Sequence, residues 1–495
     1  MSFASLAQPT IAPLIERFAA APQVTLVVGA GASMEAGLPS WPELIEKLLQ
    51  RVARENPRLE EPADREDWIK RTLERDELLG AGAVVEVMAD EDLELLLPQA
   101  LYGDAGPAGY EPGPIADQVA KLRARFGERI TILTTNYDDL IERALLGAGS
   151  TKRQIKPYVR RRTEPPAGAV PVTHLHGYAG RDGKPKRLVL TEEHYHQMQR
   201  GRSWQEEYVT ERLENSLCLF IGTSLTDPNL IRYLYGYRAS TRRHAAVFVR
   251  QGDLDYATPA VRSAREEAIS KRWQRCGVEP VFVDHYADAA QLLYEIADCR
   301  AGSQEYEPLP ARARRTLEDI ERILFATDGG DERFAERQVV LSRWLRSHLY
   351  ELLTTALEGG APPADERLAL TLWLLSPDGA SLTGWAHSDR AHQDPATIEA
   401  VPIAEGSEWV AVRTVCHGVR VELDRESAVS RWHFVRGLPL ILEQPTRMPI
   451  GCLTISSTKR GGTTVLNRLD AGRKAELHRG LTAAIVDTIQ QLSGF

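Results

Sequence analysis

The feature that most constrains this chain is a repeated change of period across its first 290 or so residues. Short apolar runs alternate with amphipathic helical stretches, and four of the runs end in clusters of small or polar residues. Val24–Val28 is apolar except for Thr25 and turns at Gly29-Ala30-Gly31-Ala32-Ser33. Arg129–Leu133 ends at Thr134-Thr135-Asn136-Tyr137-Asp138, Val170–Leu175 at His176-Gly177, and Leu217–Ile221 at Gly222-Thr223-Ser224. Leu188–Leu190, Ala245–Val249 and Pro280–Val283 complete the series of expected strands. Runs without polar alternation suit strands buried on both faces, as in a parallel sheet. Helices are expected over 10–20 (apolar stripe Ile11, Leu14, Ile15, Phe18), 41–54 and 116–126, and from Asp139 and Glu192 onward. Strands alternating with helices predict an α/β fold with a doubly wound parallel sheet. Residues 55–115 are polar and partly helical, and read as a helical insertion.

The pattern changes at 301–310, a polar, Pro-containing stretch expected to be a linker. Helices are expected over about 311–326 and 331–358. On the second, Phe334, Leu341, Leu345, Leu349 and Leu352 recur at helical spacing, as in a packing or dimer helix. Expected strands follow at Leu368–Leu375, Gly418–Leu423, Leu438–Glu443 and Ile450–Ser456, then a helix over about 471–492. That order predicts an α+β domain with an antiparallel sheet. The expected division is 1–300, 301–360 (linker and helices) and 361–495.

Hydrophobic residues make up 43% of the 495, charged residues 26%, and the net charge is −9. These values exclude a disordered chain and give no basic field for nucleic acid. Five scattered cysteines, without a C-x-x-C, support neither a disulfide framework nor a zinc ribbon. No apolar run reaches the ~18 residues of a membrane span, and the N-terminus has no clean signal-peptide core. A cytoplasmic protein is the expectation.

The four clusters fall where open α/β sheets bind ligands, past the carboxyl ends of the strands. In the first, Gly29, Ala30, Gly31 and Ser33 would let backbone N–H groups approach a pyrophosphate. A tight strand–helix turn explains them as well. In the second, Asp138 could simply cap the following helix, which explains Asn136 less well. In the third, His174 reads as structural, whereas His176, at the strand end before a glycine, suits an exposed, titratable imidazole. In the fourth, Gly222, Thr223 and Ser224 could accept a ribose or phosphate. Trp41 could stack on a base or pack on the first helix. Glu35 reads as a turn residue before a catalytic one. His194, Tyr195, His285 and the pair Cys416-His417 carry no motif.

Together the four clusters resemble the sirtuin family, in the same order along the chain. "GAGASMEAGLPSW" (29–41) resembles its nucleotide-binding loop, "TTNYD" (134–138) its asparagine motif, "HLHG" (174–177) its catalytic histidine motif and "GTSLTDP" (222–228) its adenosine-side motif. The zinc ribbon of the protein deacylases is missing, since 178–187 contains no cysteine. "TTNYD" and "LVLTEEHY" (188–195) resemble the zinc-less branch found in bacterial anti-phage systems. That resemblance implies a Rossmann-like core and hydrolysis of NAD to nicotinamide and ADP-ribose, with NAD as substrate and no metal. It implies His176 as base, Asn136 orienting water or ribose, and Asp138 behind them or on the ribose. Gly29, Ala30, Gly31 and Ser33 would cradle the pyrophosphate, with Gly222, Thr223 and Ser224 on the adenosine side. A deacylase or ADP-ribosyltransferase, or a binding sensor without turnover, are the alternatives.

The C-terminal stretches 408–423 and 438–457 with the last helix resemble a GAF domain, a PAS-like sensor fold. This implies a trigger-sensing or dimerising module and a homo-oligomer. Because an unregulated NAD hydrolase would be toxic, a repressed resting state is expected. Neither membrane nor nucleic acid is implied.

Overall fold

The computed structural model describes residues 8–89, 93–103, 106–160, 167–180, 185–199, 203–237, 244–250, 258–299, 306–325, 330–404, 406–424, 430–442 and 447–493. Part of the expected linker (301–305) and Glu443 lie outside these residues. Thr10–Gln304 forms one compact unit and Glu305–Phe495 belongs to a second.

The first unit is built on a seven-stranded sheet of β1 (Val24–Val28), β2 (Ile130–Thr134), β3 (Ile155–Tyr158), β4 (Val170–His174), β5 (Leu217–Ile221), β6 (His244–Val249) and β7 (Val278–Val283). Every pairing is parallel, in the order β3-β4-β2-β1-β5-β6-β7. The chain passes from β1 to β2, on to the edge strand β3, back to β4 between β3 and β2, and then crosses to β5 on the other side of β1. The strand order therefore reverses between β1 and β5, the switch point of a doubly wound sheet. All five residues of β1 are buried, and Thr25 meets its polar need through a 2.6 Å bond with the Ser216 hydroxyl.

Helices cover both faces. The residues Leu213, Phe220, Leu230, Trp273 and Phe282 share one apolar cluster, which brings helices Trp204–Asn215, Pro228–Gly236 and Pro259–Gln274 onto the sheet. Helix Tyr286–Asp298 packs against helices Ile11–Ala20 and Pro114–Phe126. A separate helical layer, Trp41–Glu55, Pro62–Ala89 and Leu93–Tyr102, has its own core (Leu48, Leu49, Val85, Leu97) and reaches Tyr137 and Leu140. The first of these helices opens on a capping box between Ser40 and Glu43.

Two expectations change here. Leu188–Leu190 is not a strand. Val189 and Leu190 are buried, but the Val189 N–H donates to the His176 carbonyl at 2.8 Å. Its carbonyl accepts from the Tyr137 hydroxyl at 2.7 Å. The run is thus held by loop ends, after a turn at Arg187 (φ 53°). Conversely, β3 was not foreseen, because Ile155-Lys156-Pro157-Tyr158 lacks an apolar run. It is an edge strand, where Pro is tolerated.

The second unit carries a six-stranded antiparallel sheet, in the order β10-β9-β8-β13-β12-β11. Its strands are β8 (Leu368–Leu375), β9 (Ser381–His387), β10 (Ala400–Pro402), β11 (Val421–Asp424), β12 (Phe434–Leu442) and β13 (Met448–Ser457). Helix Gly330–Ala356, which buries Leu345, Leu349 and Leu353, packs on helix Ala471–Ser493 and on β8 and β9. The carboxylate of Glu366, just ahead of β8, is buried. It accepts from the Ser457 hydroxyl at 2.6 Å, from the Thr464 hydroxyl, and from the Val465 N–H at 2.9 Å. Glu366→Ala strands these donors and is expected to cost roughly 1–3 kcal/mol per unsatisfied group. Calorimetry checks this: the transition of this unit should fall while the N-terminal one stays.

Candidate active site

The four clusters follow β4, β2, β1 and β5, which are consecutive neighbours in the sheet. Parallel strands place their carboxyl ends on one edge, so residues 29–33, 134–138, 174–177 and 222–228 converge there although up to about 200 positions separate them in sequence.

The glycine turn is interlocked with the β5 turn. Gly31 N–H donates to the Gly222 carbonyl at 2.8 Å and Gly29 N–H to that of Ile221 at 2.9 Å. A Cβ on Gly29 would lie 2.5 Å from the Gly222 oxygen, and one on Gly31 2.9 Å from the Gly222 Cα. Gly222 itself has φ +66°, a conformation open to glycine at little cost. Close approach of the β1 and β5 turns thus requires glycine at 29, 31 and 222. Ala32, Ser33 and Met34 N–H groups donate to the Gly29 and Ala30 carbonyls. Ala30 is the turn residue whose N–H has no protein acceptor among the described residues.

Asn136 is 8% exposed. Its amide nitrogen donates to the Gly29 carbonyl at 3.0 Å and to Ser33 Oγ at 2.8 Å. Ser33 Oγ in turn donates to Asp138 Oδ2 at 2.7 Å, and Asp138 Oδ1 accepts the Leu140 N–H at 3.0 Å. Burial pushes the Asp138 carboxyl upward, against the bonds from Ser33 and Leu140. Asp138 therefore caps the helix Leu140–Gly147 and also anchors Ser33. These bonds orient the Asn136 amide and leave its carbonyl oxygen Oδ1 buried without a partner among the described residues. Such an oxygen is costly unless something else donates to it.

The two histidines differ in their partners, and both are buried: His176, expected to be exposed at the strand end, is only 7% exposed because Tyr195 and Asp227 close over its ring. His174 is enclosed, with Nδ1 2.9 Å from the Asn136 carbonyl and Nε2 2.8 Å from Glu142 Oε1. Burial opposes its charge, but Glu142 and these bonds hold its pKa above the ordinary value. It braces the Asn136 backbone. His176 Nε2 lies 3.4 Å from Asp227 Oδ2, and its ring meets Tyr195 edge-on at 5.7 Å. Burial lowers its pKa and Asp227 only partly opposes this, so the imidazole is neutral near pH 7. Asp227 is fixed twice over: Oδ1 caps the Leu230 N–H at 2.7 Å, and Oδ2 accepts the Tyr195 hydroxyl at 2.5 Å.

The remaining candidates have plain geometry. Thr223 Oγ1 accepts from the Leu225 N–H at 3.2 Å, and Ser224 Oγ lies 2.7 Å from Thr226 Oγ1, both partly exposed on the β5 turn. Trp41 begins its helix and packs against the helical layer. Glu35 Oε2 accepts the Ile115 N–H at 3.1 Å, capping the helix Pro114–Phe126. A cleft of about 680 Å³ opens beside β4, where Leu175, Gly177, Val189, His194, Met198 and Trp204 line it. Among the described residues, no cluster of three or more His, Cys, Asp or Glu could hold a metal ion. The five cysteines are free and dispersed, so they do not fit a structural zinc. No described helix is long and apolar enough to cross a membrane. Sequence reasoning passed over Asp227, Tyr195 and Glu142. For Asp227 the Asp-Pro helix start was a visible signal, but only of capping.

Residues 130–281 match the family model of the SIR2-like domain. The glycine turn lies ahead of that span. "NAD(+) hydrolase ThsA" of Acinetobacter baumannii (strain 532279) is 26% identical over 281 residues, covering 55% of this chain and 52% of its own. "NAD(+) hydrolase ThsA" of Bacillus cereus (strain MSX-D12) is 23% identical over 295 residues, covering 55% and 53%. The chain thus spans about half the length of the curated relatives it matches. A solved Sir2 enzyme structure aligns at 16% identity over 59% of this chain and 96% of its own, with a TM-score of 0.30.

Proposed function

We propose that the N-terminal unit is an NAD glycohydrolase, releasing nicotinamide and ADP-ribose. The observation that carries this reading is the buried, oriented and unpartnered Asn136 Oδ1, on the same sheet edge as His176, since the strands they follow are neighbours. Cleaving the N-glycosidic bond builds positive charge on the ribose, and nicotinamide leaves as a neutral molecule. No strong acid is needed. The site must hold NAD in a reactive pose, position a water and accept its proton. Asn136 Oδ1 takes a hydrogen bond from that water or from a ribose hydroxyl. His176 accepts the proton, and Asp227 steadies the imidazolium that forms. The phosphates lie across the β1 and β5 turns, at Ala30 and its glycine neighbours, with the adenosine side at Thr223 and Ser224. Asp138 and Ser33 act through Asn136. The names of the two relatives and the match to the SIR2-like domain support the reaction class.

The reading extends to an effector in bacterial anti-phage defence, acting in the cytoplasm as a homo-oligomer. Its C-terminal unit would be a GAF-like module that relieves repression on meeting a trigger. Supporting this are the resemblance of the motifs and the separate, sheet-based second unit.

Asp227→Asn tests the base assignment. The carboxylate raises the His176 pKa, so its removal lowers that pKa further. The acid limb of the pH–rate profile should shift to lower pH, and turnover should fall by about 10–100-fold as the imidazolium loses its partner. An unmoved limb would exclude His176 as the titrating base.

A further inference from the structure

The second unit holds a cavity of about 200 Å³ between one face of its sheet and the helix Val410–His417. The two faces of that sheet differ in kind. One presents Leu368, Leu370, Leu372, Leu453 and Ile455, all buried. The other, toward the cavity, presents Ala369 opposite Ser456 and Thr371 opposite Thr454. A sheet face serving only as a core would be filled with aliphatic side chains, since missing volume is destabilising. Small hydroxylic residues at paired positions make a floor with room above it.

The polarity of that floor is set by its neighbours. Arg390 can only donate, and its Nη2 lies 3.1 Å from His387 Nε2. His387 Nδ1 therefore carries the proton and donates to Thr371 Oγ1 at 3.0 Å. Burial, with Arg390 and His392 nearby, pushes the His387 pKa down to about 3, in keeping with this neutral tautomer. Trp373 Nε1 donates to Thr454 Oγ1 at 3.1 Å. Each threonine thus receives a bond and keeps its own O–H to give. The floor offers two donors and calls for carbonyl-type acceptors.

The walls are flat. Trp373 and Trp409 meet edge-to-face at 5.7 Å and 67°, forming a corner that a planar ring can fill. Trp409 is 37% exposed and stands at the mouth. Asp389 pairs with Arg431, whereas Arg390 has no carboxylate partner among the described residues. It is the cation left to meet a ligand's negative group.

We infer that this cavity binds a single planar heteroaromatic ring bearing ring carbonyls and one anionic group, the ring on Thr371 and Thr454 and the anion at Arg390. A nucleoside monophosphate and a heteroaromatic carboxylate share that chemistry. At about 200 Å³ the cavity has room for one ring and its anionic group but not for the two nucleosides of a dinucleotide, so it is distinct from an NAD site. This inference does not depend on NAD hydrolysis, and its test reads binding alone.

The full chain is titrated by calorimetry and tryptophan fluorescence with uridine 5′-monophosphate, guanosine 5′-monophosphate, orotate and neutral uracil. The expected result is saturable binding of a monophosphate or of orotate with Kd below about 1 mM, with uracil at least about tenfold weaker where the pyrimidines bind. The phosphate and carboxylate arms distinguish the two sources. Exposed Arg390→Gln should weaken the anionic probes about tenfold and leave uracil unchanged; Thr371→Val should weaken charged and neutral probes alike. No binding below about 1 mM by any probe, meaning a cavity that holds water only, overturns the inference. So does binding that both variants leave unchanged.

Discussion

Replacing His176 by alanine is expected to reduce nicotinamide release from NAD by about 10²–10⁴-fold, the usual range for a lost general base. The imidazole is buried and held beside Asp227, 3.4 Å away, by a carboxylate that Tyr195 and the Leu230 N–H fix from its other sides. Alanine removes the proton acceptor and leaves that scaffold standing, so kcat should fall much more than KM rises. Circular dichroism and melting should stay near those of the parent chain. His174→Ala should behave otherwise. Its ring joins the Asn136 carbonyl to Glu142, so its loss leaves a buried carboxylate unpaired and lowers stability as well as rate. Product chromatography beside a thermal melt separates the two outcomes.

The second large effect is steric. Gly29→Ala places a Cβ 2.5 Å from the Gly222 carbonyl oxygen and 2.7 Å from Thr223 Cβ. The clash on Gly222 is with backbone, which cannot rotate away, so the β1 and β5 turns must part. Overpacking of this kind costs roughly 1–3 kcal/mol, or roughly 2–4 °C in melting temperature per kcal/mol for a unit of this size. NAD affinity should fall with it, because the same turns form both walls of the crevice and the Gly29 carbonyl holds Asn136. Gly147→Ala is the control: it lies at a helix end with nothing within 4 Å of the added Cβ, and should leave stability and binding unchanged.

The two effects share a cause that bears on what could be read from the chain alone. Val24–Val28 and Leu217–Ile221 matched their strands end to end because central parallel strands are buried on both faces, and burial writes itself as an unbroken apolar run. The edge strand β3 is half solvated and carries Pro157, so no such run exists. Leu188–Leu190 misled for the opposite reason: it is apolar because it is buried, yet its backbone bonds go to His176 and Tyr137. Asn136 and His176 were legible as candidates because strand ends collect in a parallel sheet. The pairings around them were not, although Ser33 and Asp138 were themselves legible as candidates. Ser33 and Asp138 lie about 105 residues apart, and Tyr195 and Asp227 32 apart. Only the crossing of the strands makes them neighbours. The Thr371–Thr454 floor of the second unit was invisible likewise, since it depends on the register of β8 against β13.

The most direct measurement is product analysis after incubating NAD with the full chain, and with residues 10–304, in water enriched in oxygen-18. The account predicts that residues 10–304, freed of the repressing unit, yield nicotinamide and ADP-ribose in equal amounts, with one labelled oxygen in each ADP-ribose at the ribose C1 position, and that His176→Ala lowers both by about 10²–10⁴-fold. Nicotinamide release from neither protein would contradict it. So would release that occurs only with an acetylated peptide and ends in O-acetyl-ADP-ribose.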